Sequence, residues 1–112
     1  MKIGIVGQGF VGTAVREGLK NHHTINTFDL VKESTCDSIS DLVNKSKYIF
    51  VCVPTPMKED GSCDTSIVED VVKDVNSLTM TDKIVIIKST ITPGTTERLN
   101  KKYTNCKIVF NP

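Results

Sequence analysis

The run Gly7-Gln8-Gly9-Phe10-Val11-Gly12 stands directly between a short apolar segment, Lys2-Ile3-Gly4-Ile5-Val6, and a helix-compatible one, Thr13 to Lys20. That placement constrains the fold more than the glycines do by themselves. A buried strand that turns through three spaced glycines into a helix is the opening of a βαβ unit whose backbone can approach a dinucleotide. The unit is completed by an acid at the end of the following strand. His23 to Phe28 reads as that strand, and Asp29 closes it 22 residues after Gly7.

Each glycine has its own task. Gly7 permits the tight turn out of the strand, where a side chain would clash or a positive φ is needed. Gly9 lets the backbone come close to a pyrophosphate, and Gly12 lets the helix pack tightly on the strand. The N–H groups of the first helical turn, from about Phe10 to Thr13, then face the phosphates with the helix dipole behind them. Asp29 can accept hydrogen bonds from both adenosine ribose hydroxyls and would repel a 2′-phosphate, which favours NAD over NADP. Lys32 is near enough to weaken that preference. The competing reading is a glycine-rich turn with no ligand, and for Asp29 alone a solvated acid at a strand end.

The 112 residues are read as one domain spanning 1–112, long enough to bury roughly two-thirds of the unfolded surface. A net charge of +1 offers no field for nucleic acid or an anionic membrane. No apolar run approaches the ~20 residues of a membrane span. The first apolar stretch holds the glycines and lacks a cleavage site, so it does not read as a signal peptide. Cys36, Cys52, Cys63 and Cys106 form no C-x-x-C pair and have no paired histidine ligands. That argues against a metal site and a disulfide framework and for a reducing, cytoplasmic setting. His22 and His23, Glu59 and Asp60, and Glu97 read as structural or solvated groups.

Strands and helices alternate along the rest. Lys47–Val53 and Lys83–Lys88 read as buried strands and Cys106–Phe110 as a fifth. Helices are expected at Ser40–Lys45, at Ile67–Leu78 with N-cap chemistry from Asp64 and Ser66 and with Glu69 three residues on, and at Thr95–Lys102. The expected architecture is α/β, a Rossmann-type doubly wound parallel sheet of about five strands in the order 3-2-1-4-5. Ligands in such sheets bind beyond the carboxyl ends of the strands, so the residues after each strand carry weight.

Two of those strand ends stand out. After the third strand, Pro54-Thr55-Pro56 forms a stiff extended loop and Asp60-Gly61 a turn, which holds Thr55 at the ligand edge. After the fourth, Ser89 and Thr90 are placed to hydrogen-bond a ligand or an ordered water. Ser, Thr and Pro are also ordinary loop and capping residues, but two such loops flank one cleft.

Together these stretches resemble the UDP-glucose/GDP-mannose dehydrogenases. The matching segments are Ile5 to Gly12, Val51-Cys52-Val53-Pro54-Thr55-Pro56, Asp60-Gly61-Ser62-Cys63-Asp64, Lys88 to Glu97 and Phe110-Asn111-Pro112. Members of that family oxidise C6 of a nucleotide sugar to a carboxylate in two hydride transfers to NAD. By the resemblance, Gly7, Gly9, Phe10, Val11, Gly12 and Asp29 would hold pyrophosphate and ribose. Val53, Pro54, Thr55, Pro56 and Ser89 would line the cofactor cleft. Thr90 would position a catalytic water.

The resemblance also implies parts that these residues do not include: a glutamate directly after the Asn-Pro pair, a nucleophilic cysteine in a Gly-x-Cys-x-x-Lys-Asp segment, and the sugar-nucleotide domain. None of the four cysteines matches that segment, so the 112 residues by themselves are expected to be inactive. Two readings follow: the cofactor-holding piece of a longer dehydrogenase, or a nucleotide-binding module without turnover. A sheet edge left uncovered after the fifth strand favours a continuation, a partner chain or a homo-oligomer. A Rossmann-like methyltransferase using S-adenosylmethionine is disfavoured by the three-glycine spacing and the two loops.

Overall fold

The computed structural model describes residues 2–29, 34–79 and 83–111. Nine elements alternate among them: β1 (Lys2–Val6), α1 (Phe10–Leu19), β2 (Thr24–Phe28), α2 (Ile39–Lys45), β3 (Tyr48–Val51), α3 (Ser66–Leu78), β4 (Lys83–Ile87), α4 (Thr95–Lys102) and β5 (Cys106–Phe110). All neighbouring strands pair in parallel.

The strand order is β2-β1-β3-β4-β5, which corrects the expected 3-2-1-4-5. The third strand lies beside β1, on the side away from β2, and not outside β2. Right-handed crossovers explain the difference. Helix α1 packs Val15 and Leu19 against Ile3 and Ile5 on one face of the sheet, whereas α2 packs Leu42 and Val43 on the opposite face with Val6, Ile49 and Val51. A right-handed connection over the opposite face carries the chain back across β1. Gly4 makes that packing possible, because a Cβ there would meet Leu42 Cδ2 at 2.5 Å and Ser46 Oγ at 2.6 Å. Strand polarity agrees: in β2 only Thr27 is buried, as suits an edge, while Ile49 and Val51 of β3 are fully buried, as suits a central strand.

The two faces are unequally covered. Under α2, α3 and α4 lies a continuous core of Leu42, Ile49, Val72, Val85, Ile87, Leu99 and their neighbours. Each such fully buried aliphatic side chain contributes about 1.5–3 kcal/mol. On the α1 face Tyr48, Phe50, Ile84, Ile86 and Val109 are only partly buried.

Two local details differ from the sequence reading. Helix α1 begins at Phe10, so Gly12 lies inside its first turn, with Gly9 as an extended N-cap. At α3 the N-cap is Thr65, and Asp64 Oδ1 accepts from the Ser66 amide at 2.9 Å. Glu69, in the first turn but one position past the capping-box place, accepts from Arg98 and Lys102, each at 3.2 Å, and joins α3 to α4. No described helix is long and apolar enough to cross a membrane.

Candidate functional site

The order in which strands are added to the sheet reverses between β1 and β3, and a crevice opens beyond the carboxyl ends of the strands at such a switch point. A cleft of about 570 Å³ occupies that position, floored by Gly7 and Cys52 and walled by the segments after β2, β3 and β4. A second, apolar slot of about 290 Å³ adjoins it, bounded by Val6, Phe28, Ile39, Ile67 and Val71, with Gly7, Asp29, Val53 and Pro54 shared between the two.

Gly7 turns at φ +97°, and a Cβ there would lie 2.5 Å from the Cys52 carbonyl oxygen. Conformation and space both demand glycine at that point. Gly12 answers a different need, because a Cβ on it would stand 1.9 Å from the Gly7 carbonyl oxygen. Nothing lies within 4 Å of the corresponding point on Gly9. The loop is therefore closed beneath and open above.

Helix α1 has no side-chain cap, and its first internal bond runs from the Thr13 amide to the Gly9 carbonyl at 3.0 Å. The amides of Phe10, Val11 and Gly12 precede that bond and have no intrahelical acceptor, so they are the donors left for an anion. Thr13 leaves the expected donor set. The Phe10 ring is 99% exposed at the cleft mouth.

Asp29 Oδ2 accepts from the Gln8 amide at 2.6 Å, and the Asp29 amide donates to Ser34 Oγ at 2.7 Å. The carboxylate is thus fastened to the glycine loop at the junction of cleft and slot.

On the opposite wall, Val53, Pro54, Thr55, Ser89 and Thr90 line the cleft. Ser89 is turned inward: it is buried, and its hydroxyl donates to the Val53 carbonyl at 2.8 Å, so it supports the Pro54–Thr55 loop from below. Thr90 is exposed within the cleft. Pro56 is outside the lining, and its carbonyl accepts the Asp64 amide at 2.7 Å at the base of a small hairpin closed by the Met57–Cys63 bridge. Gly12 is buried below the loop. Lys32 lies outside the described residues.

Two lining residues escaped the sequence reading as site residues, Cys52 and Lys88. Lys88 is the charged residue that ends an apolar strand, and that was its available signal; Nζ donates to Asn111 Oδ1 at 3.1 Å. Burial pushes the Cys52 thiol up to about 11, with the Lys88 ammonium pulling weakly the other way. Such a thiol is a poor nucleophile near neutral pH. Among the described residues no group of three or more His, Cys, Asp or Glu side chains is gathered in metal-binding fashion.

The donor set fits a dinucleotide: unspent helix amides, open space at Gly9, a carboxylate at the junction and an apolar slot beyond it. Sequence comparison agrees. Residues 30–112 match the NAD binding domain of the UDP-glucose/GDP-mannose dehydrogenase family, a span that begins just after Asp29. UDP-glucose 6-dehydrogenase of Streptococcus pneumoniae is 30% identical over 142 aligned positions, covering 100% of this chain and 36% of that protein. A ternary complex of GDP-mannose dehydrogenase from Pseudomonas aeruginosa superposes with a TM-score of 0.83 at 20% identity, covering 100% of this chain and 36% of that one. A 3-hydroxyisobutyrate dehydrogenase of Mycobacterium tuberculosis superposes almost as well, with a TM-score of 0.82 at 17% identity over 100% of this chain and 40% of its own. Shape therefore establishes the fold, and sequence selects the family. The chain spans about a third of the length of the curated UDP-glucose 6-dehydrogenases it matches. It belongs to the UDP-glucose/GDP-mannose dehydrogenase family and corresponds to that family's NAD-binding domain.

Proposed function

We propose that residues 1–112 form one cofactor-holding domain of a nucleotide-sugar 6-dehydrogenase of the UDP-glucose to UDP-glucuronate type. The observation that carries this is the convergence of four strand ends on one cleft: Gly7 and Gly9 after β1, Asp29 after β2, Thr55 after β3 and Thr90 after β4. The amides of Phe10, Val11 and Gly12 receive the pyrophosphate, Asp29 the adenosine ribose, and the apolar slot the adenine. Val53, Pro54 and Thr55 form the facing wall, with Ser89 bracing it. NAD supplies the hydride acceptor for each of two oxidations.

Thr90 is the chain's own contribution to the chemistry. Its exposed hydroxyl stands in the cleft beside Lys88, where it can hold a water by accepting or donating one hydrogen bond. The residues that grip the sugar nucleotide and the cysteine that attacks its C6 belong, on this reading, to a substrate domain. The cytoplasm, where thiols stay reduced, suits the four free cysteines.

Calorimetric titration of the chain with NAD, NADP and UDP-glucose tests the proposal. NAD is expected to bind more tightly than NADP, and UDP-glucose to give no heat. Failure to bind NAD at millimolar concentration, or oxidation of UDP-glucose by these residues alone, would overturn it.

A further inference from the structure

Gln8 occupies a non-glycine position of the glycine loop, yet its side chain does not face the cleft. It is 6% exposed and folds back under the loop, where Nε2 donates to the carbonyl of Gly7 at 3.1 Å. The Gly7 carbonyl and the Gln8 amide are two ends of one peptide plane. The other end is held as well, by the Gln8 N–H bond to Asp29 Oδ2 at 2.6 Å. The next peptide, Gln8–Gly9, is tied separately by Thr13 Oγ1, which donates to the Gln8 carbonyl at 3.2 Å.

A peptide plane that follows a glycine at φ +97° is the one most able to rotate, because glycine has no Cβ to oppose the change. Rotation would release the Asp29 carboxylate and swing the Gly7 carbonyl oxygen out of the pocket against Gly12. An oxygen turned toward the cleft would repel a phosphate as strongly as an amide attracts it.

We infer that the side-chain amide of Gln8 is a positioning residue for pyrophosphate recognition: it pins the Gly7–Gln8 peptide so that its carbonyl stays inward and its N–H stays on Asp29. This rests on the cleft being the dinucleotide site. The side chain touches no ligand, so it acts on the ribose only through the Asp29 tie and most strongly on the phosphates, the part of the ligand that reads the loop's orientation directly. ADP and NAD carry that part, and adenosine does not.

The test compares the parent chain with Gln8→Met, which keeps the length and cannot donate, by NMR titration with NAD, ADP and adenosine. The expected result is a roughly tenfold loss of affinity for NAD and ADP, the size of one lost hydrogen bond, with a clearly smaller loss for adenosine, whose ribose feels the loop only through Asp29. Gln8→Glu gives a second readout. When protonated, its carboxyl can donate to the Gly7 carbonyl; when ionised, it cannot. Its ADP affinity relative to the parent at the same pH is expected to recover as the pH falls from 8 to 5, and this arm decides the matter if Gln8→Met does not fold. Equal losses for ADP and adenosine, undiminished ADP binding by Gln8→Met, or a pH-independent ratio for Gln8→Glu would overturn the inference and leave the dinucleotide reading standing. A parent chain that binds neither NAD nor ADP would overturn both.

Discussion

The Cα of Gly12 lies so close to the carbonyl of Gly7 that a methyl group on Gly12 would stand 1.9 Å from that oxygen. The first turn of α1 is thereby seated on the end of β1, with no room for a side chain at Gly12.

The three loop glycines should separate in experiment. Gly12→Ala must displace backbone and is expected to cost about 3 kcal/mol or more, and Gly7→Ala a comparable amount through its positive φ and the 2.5 Å approach to Cys52. Gly9→Ala meets nothing within 4 Å, so its melting temperature should stay near the parent's while NAD affinity falls more than tenfold. Thermal unfolding alongside NAD titration measures both; a Gly9→Ala chain that binds NAD normally would show that no phosphate approaches that point.

Asp29 should govern which dinucleotide binds. A hydrogen bond to a charged group contributes about 1.5–3 kcal/mol, so Asp29→Ala is expected to lower NAD affinity by one to two orders of magnitude. Asp29→Asn can still accept from the Gln8 amide but carries no charge, and it should narrow the gap between NAD and NADP. Calorimetry with both cofactors reads the ratio, and an unchanged NAD/NADP ratio in Asp29→Asn would remove Asp29 from the specificity argument.

Cysteine titration gives the alkaline limb of stability. Burial raises the thiol of Cys52 to about 11, and burial also raises those of Cys36 and Cys106. In the unfolded chain these thiols ionise near pH 8.5–9, so above that pH the unfolded state binds fewer protons than the folded one. The thiols' contribution should therefore be level below about pH 8.5, and stability should fall toward pH 11, by up to about 1.4 kcal/mol per pH unit for each such thiol. Denaturant melts across this range check the slope, and thiol alkylation at pH 8 should reach the half-buried Cys63 well before Cys52.

Lys83 offers a change in stability that leaves the site alone. Its Nζ donates to the carbonyls of Val43 at 2.7 Å and Ser46 at 2.6 Å, closing the C-terminal end of α2 at the amino-terminal end of β4, opposite the cleft. Lys83→Met removes two charge-assisted bonds and should cost about 1.5–3 kcal/mol. NAD affinity measured well below the melting temperature should be unchanged; a loss there would mean that α2 communicates with the cleft.

Residues whose role depends on near neighbours in the chain could be read directly. The glycine spacing, the acid that closes the second strand, the stiff Pro-Thr-Pro loop and the alternation of apolar runs with helical ones are local chemistry, and together they pointed to a Rossmann-type sheet and NAD, while the resemblance of several segments pointed to one dehydrogenase family. What the tertiary structure alone decided are the matters that turn on distant segments. The strand order followed from α2 packing against Gly4 on the face opposite α1, a contact 38 residues apart between Gly4 and Leu42 that no local pattern announces. Ser89 braces the Pro54–Thr55 loop because the Val53 carbonyl lay within its reach. Glu69 lost its expected capping place because the helix starts after Thr65, one residue out of register for it, and its carboxylate meets Arg98 and Lys102 of α4 instead. Hydrogen bonds and close packing act over a few ångströms, so they are settled only once folding has brought the partners together.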